Sequence, residues 1–432
     1  MRQRLIPAAL LLLSAAAGHA QRSLSVGEMF ALIETNSSSM EAARSGIDAA
    51  TLGLDAARAQ RLPDVSAQVS GSLNGDVLML DRDLSHAKGF TSPRWSNTLA
   101  VEARQVVYAG GAIDAGVRMA RLNKEMEETN LSATRQGLRF NSLAQYLQLI
   151  QIDHALRVYD ENIRLAERLI EHVRVKQAQG MALSNDITRY ELQRQNLLLG
   201  RRQTEDARQV ANHRLCTTLG IADERIVPDT TVVAAVYAQD DEALWQTTGA
   251  ASAPEMARAH IATLMAEQQL RLAQSDLRPK VEVVAADNFS GPFQYDIPPV
   301  DKNFNVWFVG LGVKYSLSSL WKSKRKVQQA RAALTQTQQQ KDVVGETLNN
   351  RIQEAHTMYL QSYTLLATQQ KSVLLATQNY RTVSERYRNQ LALVTDMIDA
   401  ANAKLAAELG EADARVNVVL TYYRLKYISG TL

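Results

Sequence analysis

The chain has 432 residues, of which nine are proline and one is cysteine, and a formal net charge of +3. This near balance of charge, with no basic stretch interleaved with aromatic residues, argues against a nucleic-acid-binding protein. The many alanines, leucines and glutamines and the few aromatics indicate a helix-rich chain.

The first twenty residues have the pattern of an export signal. Two arginines precede an apolar run over 5–17, and residues 18–20 fit a small-residue cleavage site. About 13 apolar residues are too few for the alternative, a membrane anchor, which needs about 20. We therefore predict a signal peptide at 1–20 and a mature chain beginning at Gln21. Cys216 lies far from that site, so neither lipid attachment at a new N-terminal cysteine nor an intramolecular disulfide is expected.

The first half of the mature chain, 21–218, is predicted to contain a helix, a strand hairpin and a long helical hairpin. The elements are a helix at 26–61 with Ser25 as N-cap, a β-hairpin at 63–108 with a polar loop at 74–92, and a helical hairpin at 112–218. Proline ends the first helix and opens the strand, where apolar and polar residues alternate with period two. The proline-free stretch 112–178 predicts a single long helix.

The second half, 253–432, repeats this order after a linker at 219–252. Its elements are a helix, a β-hairpin at 279–317 with a loop at 290–302, and a helical hairpin at 322–429 whose long helix runs to 388. Corresponding residues are offset by 210 at the hairpin tips (180 and 390), by 213 in the long helices (146 and 359) and by 216 before the strands (63 and 279). The two halves are therefore predicted to be copies of one unit.

Neither kind of element can be completed within one chain. Each long helix, at about 1.5 Å per residue, would be roughly 100 Å long, which no compact domain buries, so it must pack as a coiled coil or helical tube. The strands, of about ten residues, have the length that a tilted strand needs to cross a bilayer. Four strands cannot close a barrel, which needs about eight. A membrane interpretation therefore requires several chains.

The duplicated order resembles the TolC-like outer-membrane efflux protein family over essentially the whole mature chain. The local motifs that match are Tyr108-Ala109-Gly110-Gly111 at the first strand-to-helix turn, Gly180-Met181 followed by Asp186, and Thr395-Asp396-Met397-Ile398-Asp399-Ala400. The resemblance implies a mainly α fold with membrane β: a homotrimer with a twelve-stranded outer-membrane β-barrel, four strands per chain, continued by a long periplasmic α-helical coiled-coil barrel.

The resemblance also implies a function and partners. The protein would be an outer-membrane exit duct that spans into the periplasm and exports small molecules or proteins. It would sit in outer-membrane lipid and dock to a periplasmic adaptor (membrane fusion protein) and an inner-membrane pump. The alternative is an exported periplasmic coiled-coil scaffold or adhesin without a channel, with its strands in a soluble sheet.

A gate at the periplasmic tip is the next implication. Asp396 and Asp399 occupy the acidic positions that narrow the aperture in the family, and residues i and i+3 share a helix face, so three chains would bring six carboxylates to one axis. Alternatively, both aspartates simply start a helix, where carboxylates favour the dipole. Asp186 and Tyr387 match family positions that hold the tip shut; the alternative is an ordinary cap and a packing residue.

The tip turns are candidate contacts for the adaptor. They contain Gly180 and Met181 in the first half and Gln390 and Leu391 in the second, and the alternative is that these are turn residues only. This chain has Gln390 where the family commonly has glycine, and Ala392 where a basic locking residue can occur.

No feature of the sequence indicates an enzyme, a cofactor or a metal. The six histidines after the signal region lack metal-ligand spacing, and no nucleophile, base and orienting acid can be proposed together. The basic tract Lys322-Lys324-Arg325-Lys326 could bind acidic lipid or a nucleic acid backbone. The favoured interpretation is a solvated first turn just below the membrane, with Trp321 and Trp95 as interfacial aromatics.

Overall fold

The computed structural model describes residues 21–292 and 300–432. The predicted signal peptide and residues 293–299 of the second strand loop lie outside the described residues. The elements, in chain order, are β1 (Gln21–Leu24), α1 (Val26–Asn36), α2 (Ser38–Ala59), β2 (Asp64–Leu73), β3 (Val77–Met79), β4 (Lys88–Phe90), β5 (Trp95–Tyr108), α3 (Ala112–Ala178), α4 (Ser184–Leu219), β6 (Arg225–Pro228), α5 (Thr231–Ala234), α6 (Glu242–Ser252), α7 (Pro254–Ser275), β7 (Lys280–Gly291), β8 (Phe304–Lys314), α8 (Ser319–Arg388) and α9 (Val394–Ile428).

The two long helices confirm the prediction from the proline-free stretches. α3 has the predicted bounds, and α8 begins at Ser319, three residues before the predicted start. None of the helices in the described ranges is both long enough and apolar enough to cross a membrane.

Contacts divide the chain into two compact units, each built from both halves of the sequence. Of the described residues, unit 1 contains 21–43, Leu131–Pro254 and Glu346–Leu432, and unit 2 contains Arg44–Asn130 and Glu255–Gly345. The units therefore cut across the predicted repeats.

Unit 2 contains a four-stranded antiparallel sheet in the order β2-β5-β7-β8. The pairing of β5 with β7, from Asn97↔Gly291 to Tyr108↔Val281, joins the hairpin of the first half to that of the second. Every residue of β2 is exposed, so no described part of the chain covers this edge strand. After β5 the chain turns through Gly110, whose φ is +67°. A Cβ there would lie 2.6 Å from the Ser275 carbonyl oxygen, so the sharp corner requires glycine.

Unit 1 has a hydrophobic core to which β1, α1 to α4, β6 and α9 contribute. Its fully buried side chains include Met29, Ile33, Leu143 and Leu215, and Cys216 is also buried in it. The Tyr146 hydroxyl in this core donates to the Leu24 carbonyl at 2.7 Å and accepts from the Asp229 amide at 2.6 Å. Tyr146 thereby ties α3 to β1 and to the residue that directly follows β6, the parallel partner of β1.

The start of the chain differs from the predicted single helix at 26–61. Ser25 is the N-cap as predicted: its hydroxyl accepts from the Glu28 amide at 3.3 Å, and the Glu28 carboxylate accepts from the Ser25 amide at 2.9 Å. The helix nevertheless breaks at Ser37, whose φ and ψ are −74° and 121°. Asn36, Ser37 and Ser38 are weak helix formers because their side chains compete for backbone hydrogen bonds, which explains the break.

Two short strand pairs also depart from the sequence prediction. The loop at 74–92, expected to consist of solvated turns, contains the β3–β4 hairpin, and β1 pairs in parallel with β6 in the predicted linker. Strands of three or four residues carry too little periodicity to be recognised, because their pairing depends on a distant partner.

Replacing Tyr146 with phenylalanine is expected to lower the free energy of unfolding by about 1 kcal/mol at pH 7, because its hydrogen bonds are lost while the Leu24 carbonyl still accepts from the Asp229 amide at 3.2 Å. Chemical denaturation followed by circular dichroism measures the change. Tyr427→Phe is the matched control, because the Tyr427 ring stacks on Phe140 with centroids 5.0 Å apart, a contact that phenylalanine retains.

The same variant carries a pH signature. Burial raises the pKa of Tyr146 to about 12, above the value of about 10 in an unfolded chain. A pKa that is raised in the folded state gives stability that is complete below about pH 10 and is lost as the pH approaches 12. Wild type should therefore lose more stability than Tyr146→Phe in this window, and equal losses would contradict the assignment.

Candidate gate at the helical tips

The two helical hairpins of unit 1 turn with the same backbone hydrogen bonds. At the end of α3, Gly180 N–H donates to the Gln177 carbonyl at 2.9 Å and Met181 N–H to the Lys176 carbonyl at 2.9 Å. At the end of α8, the amides of Gln390 and Leu391 donate to the carbonyls of Tyr387 and Arg386 at 3.1 and 2.8 Å. Both are Schellman turns, in which the residue after the cap is left-handed.

The left-handed residue is the difference between the two turns. Gly180 has a φ of +73° and Gln390 a φ of +64°. Glycine adopts this conformation freely, whereas a residue with a Cβ is strained in it by about 1 kcal/mol. The second turn is therefore built from the same geometry at a higher conformational cost.

The two tip turns touch each other. The Gln390 side-chain amide lies 3.8 Å from the Met181 sulfur, which brings the candidate adaptor residues of the two halves together. Two further apolar side chains project from the turns: Leu183 and Leu393, at equivalent places in the repeat, are 71% and 70% exposed. Sequence reasoning missed this leucine pair, although the offset of 210 residues could have found it.

Asp186 and Asp396 have the same local role in the two halves. The Asp186 carboxylate accepts from the Leu183 amide at 3.1 Å, and the Asp396 carboxylate accepts from the Leu393 amide at 2.9 Å. Each aspartate therefore caps the start of its helix, α4 or α9, where a carboxylate also favours the helix dipole. This is the helix-start interpretation, and it leaves the charge of each carboxylate available to a neighbour.

Asp399 has no equivalent in the first half, where Arg189 occupies its place. Asp396 and Asp399 are both exposed, while Met397 and Ala400 on the other side of the same turns are buried. The first turns of α9 therefore present an acidic face away from the tip core. Asp396 and Asp399 are three residues apart and share one helix face, and Met397 and Ala400 share the neighbouring face in the same way.

Tyr387 belongs to the core of the tip. It is 8% exposed, and its ring meets Tyr190 edge-on with centroids 6.5 Å apart, inside a cluster with Ile170, Val173 and Met397. Burial raises the pKa of both tyrosines, so both stay neutral at physiological pH. The Lys176 ammonium lies 5.1 Å from the centre of the Tyr387 ring, a cation–π distance. Tyr387 thus connects the ends of both long helices. Sequence reasoning missed its partner, Tyr190.

Ion pairs differ between the two hairpins. Four of them join α3 to α4: Arg174–Glu191 at 2.9 Å, Arg194–Glu167 at 2.8 Å, Arg201–Asp160 at 2.6 Å and Arg208–Asp153 at 2.5 Å. In the second hairpin the pairs Arg381–Glu385, Lys404–Glu408 and Arg415–Glu411 each lie within one helix. An exposed pair stabilises by only about 0.2–1 kcal/mol, but four pairs along the hairpin favour a fixed α3–α4 distance.

No group of three or more histidine, cysteine or acidic side chains in the described part of the chain is arranged to hold a metal ion.

Comparisons with known proteins agree with this architecture. No protein-family model matches the sequence. The outer membrane efflux protein BepC of Brucella suis is 19% identical to this chain over 98% of the chain and 90% of BepC. Among solved structures, CusC superposes with a TM-score of 0.79 at 13% identity, over 94% of this chain and 92% of CusC. The outer membrane protein VceC of Vibrio cholerae gives a TM-score of 0.76 at 14% identity, over 94% of this chain and 96% of VceC.

The chain has the TolC-like fold. Near-complete coverage of both chains in each superposition means that this fold includes the strand hairpins and both helical hairpins. The resemblance predicted from the duplicated layout is therefore confirmed.

In this TolC-like chain, Gln390→Gly is expected to raise the free energy of unfolding by about 1 kcal/mol, because it removes a Cβ from a left-handed residue. Gly180→Ala should lower it by about the same amount, because a Cβ there meets no atom within 4 Å and only backbone strain is added. Thermal melting of both variants measures the pair of effects. A loss of stability in Gln390→Gly would mean that the contact with Met181 outweighs the strain.

Proposed function

We propose that this protein is an outer-membrane exit duct that exports small molecules or proteins when a periplasmic adaptor and an inner-membrane pump are docked to it. The observation that carries the proposal is the likeness in fold, over 94% of the chain, to solved outer-membrane channels, together with the similarity to a protein named as an efflux protein. Three copies would each give four strands to a barrel in the outer membrane and four long helices to a periplasmic tube.

The sheet of unit 2 supports a multi-chain barrel. Among the described residues, its edge strands β2 and β8 have one neighbouring strand each, and large apolar side chains such as Val69, Trp307 and Leu311 are exposed on them. Unpaired edges and exposed apolar side chains both favour association with further strands and with lipid.

The tips support docking and a gate. Met181, Leu183, Leu391 and Leu393 form an exposed apolar group around the turns at Gly180 and Gln390, which suits an apolar contact with the adaptor. Asp396 and Asp399 face away from the tip core. The pairs Arg381–Glu385, Lys404–Glu408 and Arg415–Glu411 of this hairpin each lie within one helix, so a change in the α8–α9 distance breaks none of these three pairs. Asp186 and the Tyr387–Tyr190 contact would hold the closed tip.

Cell fractionation tests the duct. We expect the mature protein in the outer membrane as a trimer that requires detergent for extraction and dissociates on heating. A monomer or dimer that is extracted from the periplasm without detergent would instead support the scaffold or adhesin. A multi-chain barrel is needed for the first result because the sheet in the described part of one chain has four strands, too few to close a barrel.

Single-channel recording tests the gate. Asp396→Asn/Asp399→Asn removes two charges per chain, yet the side-chain oxygen at 396 can still accept from the Leu393 amide, so the cap is preserved. We expect higher conductance and at least tenfold weaker block by multivalent cations, because six carboxylates at one axis attract cations and repel one another.

Asp342→Asn/Glu346→Gln is the matched control for this experiment, since it removes the same number of charges per chain from exposed carboxylates of α8 that lie more than forty residues before the turn at Gln390. Cation block should be nearly unchanged in this control. If multivalent cations blocked the double variant as strongly as they block wild type, Asp396 and Asp399 would be capping residues only.

A further inference from the structure

Unit 2 contains a strongly basic cleft that the duct proposal does not use. The cleft, of about 350 Å³, lies where β7 begins, β8 ends and α8 starts. Five basic side chains and four serines line it, with a single carboxylate; the charged ones are Arg278, Lys280, Lys314, Lys322, Lys326 and Asp276. The basic tract at 322–326 thus meets cations from two strands, which the sequence alone did not predict.

Two of these lysines oppose each other directly. Lys280, the first residue of β7, pairs with Lys314, the last residue of β8, in the antiparallel register. Like charges directly opposite on neighbouring strands destabilise a sheet. An anion between the two ammonium groups would remove this repulsion.

The chain itself does not neutralise the cleft. Among the described residues, Lys280, Lys314 and Lys322 form no ion pair, while Lys326 lies 3.6 Å from the one carboxylate, that of Asp276. Arg278 is used structurally, because its guanidinium donates to the Gly110 carbonyl at 3.1 Å.

The start of α8 does not explain the basic cluster. The amides of Ser319, Leu320 and Lys322 already donate to the carbonyls of residues 316–318. The first turn of the helix is therefore internally satisfied, and the attraction for an anion comes from the lysines and from the hydroxyls of Ser316 and Ser318.

Exposed apolar side chains border the cleft. Leu317, Leu320 and Trp321, all within six residues of Lys322, are exposed, Trp321 to 61%. A basic cleft beside exposed apolar groups matches an anionic amphiphile, whose headgroup and chains need both kinds of contact. A free phosphate ion would need only the cations.

The other copy of the repeat shows that the fold does not require these cations. With the offset of 213 in the long helices, Lys322 and Lys326 correspond to Ala109 and Ile113. With the offset of 216 before the strands, Lys280 corresponds to Asp64, which has the opposite charge.

We propose that this cleft binds the phosphodiester headgroup of an anionic glycerophospholipid, with Lys280, Lys314 and Lys322 as its cationic contacts and Leu317, Leu320 and Trp321 against the acyl chains. The site rests on the proposed membrane location for its lipid, at the level where the strands end and the helix begins. It would anchor each chain to the inner face of the outer membrane.

The test uses the full mature chain in a neutral detergent and two short-chain probes, dihexanoyl phosphatidylglycerol and dihexanoyl phosphatidylcholine. Native mass spectrometry counts bound lipid, and thermal melting reads its effect. For wild type we expect at least tenfold tighter binding of the phosphatidylglycerol probe, and a melting temperature that rises when this probe is added.

The test variant is Lys280→Gln/Lys314→Gln/Lys322→Gln. It should bind both probes equally and weakly. Without lipid its melting temperature should be higher than that of wild type, because the Lys280–Lys314 repulsion is gone, and the phosphatidylglycerol probe should not raise it further. A residue set with a merely structural role would instead lower the melting temperature in the absence of lipid.

Lys302→Gln/Lys324→Gln/Arg325→Gln is the matched control, because it removes the same number of charges from side chains that do not line the cleft. It should retain the preference for phosphatidylglycerol within twofold. An equal loss in the control would overturn the site in favour of diffuse surface charge.

The last measurement compares the binding of inorganic phosphate with that of the lipid probe. Binding of phosphate as tight as that of the lipid probe would assign the cleft to a free anion and overturn the lipid assignment. Lipid binding is measured on purified protein, so a failure to bind lipid would leave the duct proposal intact. Conversely, a periplasmic location found by fractionation would overturn the duct proposal but leave the binding result interpretable.

Discussion

The pairing of β5 with β7 is the interaction on which the rest of the structure depends. It joins the hairpins of two copies of one repeat into a single sheet and leaves β2 and β8 at its edges. Backbone N–H and C=O groups along an edge strand need a partner, and this chain supplies none for either edge within the described sheet. The duplicated repeat thus yields a sheet whose central strands are paired on both sides and whose two edge strands are free to pair. Assembly of a sheet from several chains requires such free edges.

The charged candidate sites lie where the two copies of the repeat have diverged in sequence. The first helical hairpin has glycine at its turn and ion pairs that bridge its helices. Its turn is therefore unstrained and its two helices are held together. The second hairpin has a strained glutamine at the same turn and the acidic pair on α9. In unit 2 the second copy also carries the basic cleft, where the first copy has apolar or acidic residues at the positions of Lys322, Lys326 and Lys280. One copy preserves the scaffold, and the other carries the charges that can act on ions or lipids.

Sequence reasoning predicted the large elements well because their signals are long. A stretch of nearly seventy residues without proline predicts a single helix, and α3 occupies that stretch from Ala112 to Ala178. The break at Ser37, the β1–β6 pair and the β3–β4 hairpin escaped prediction because each depends on one residue or on a remote partner. At the tip, the sequence identified the aspartates, but the edge-on contact of Tyr190 with Tyr387 and the opposition of Lys280 and Lys314 required the fold.

The burial of Cys216 has a practical consequence. It is the one cysteine of the chain, it is 1% exposed, and burial raises the pKa of its thiol, so thiolate formation and reaction with maleimides are both suppressed. Wild type is therefore a nearly silent background for thiol chemistry. Cysteines introduced at Met181 and Leu391 could accept spin labels or fluorophores without first removing the native thiol from a packed core. The motion of each tip could then be followed separately in an otherwise unaltered molecule.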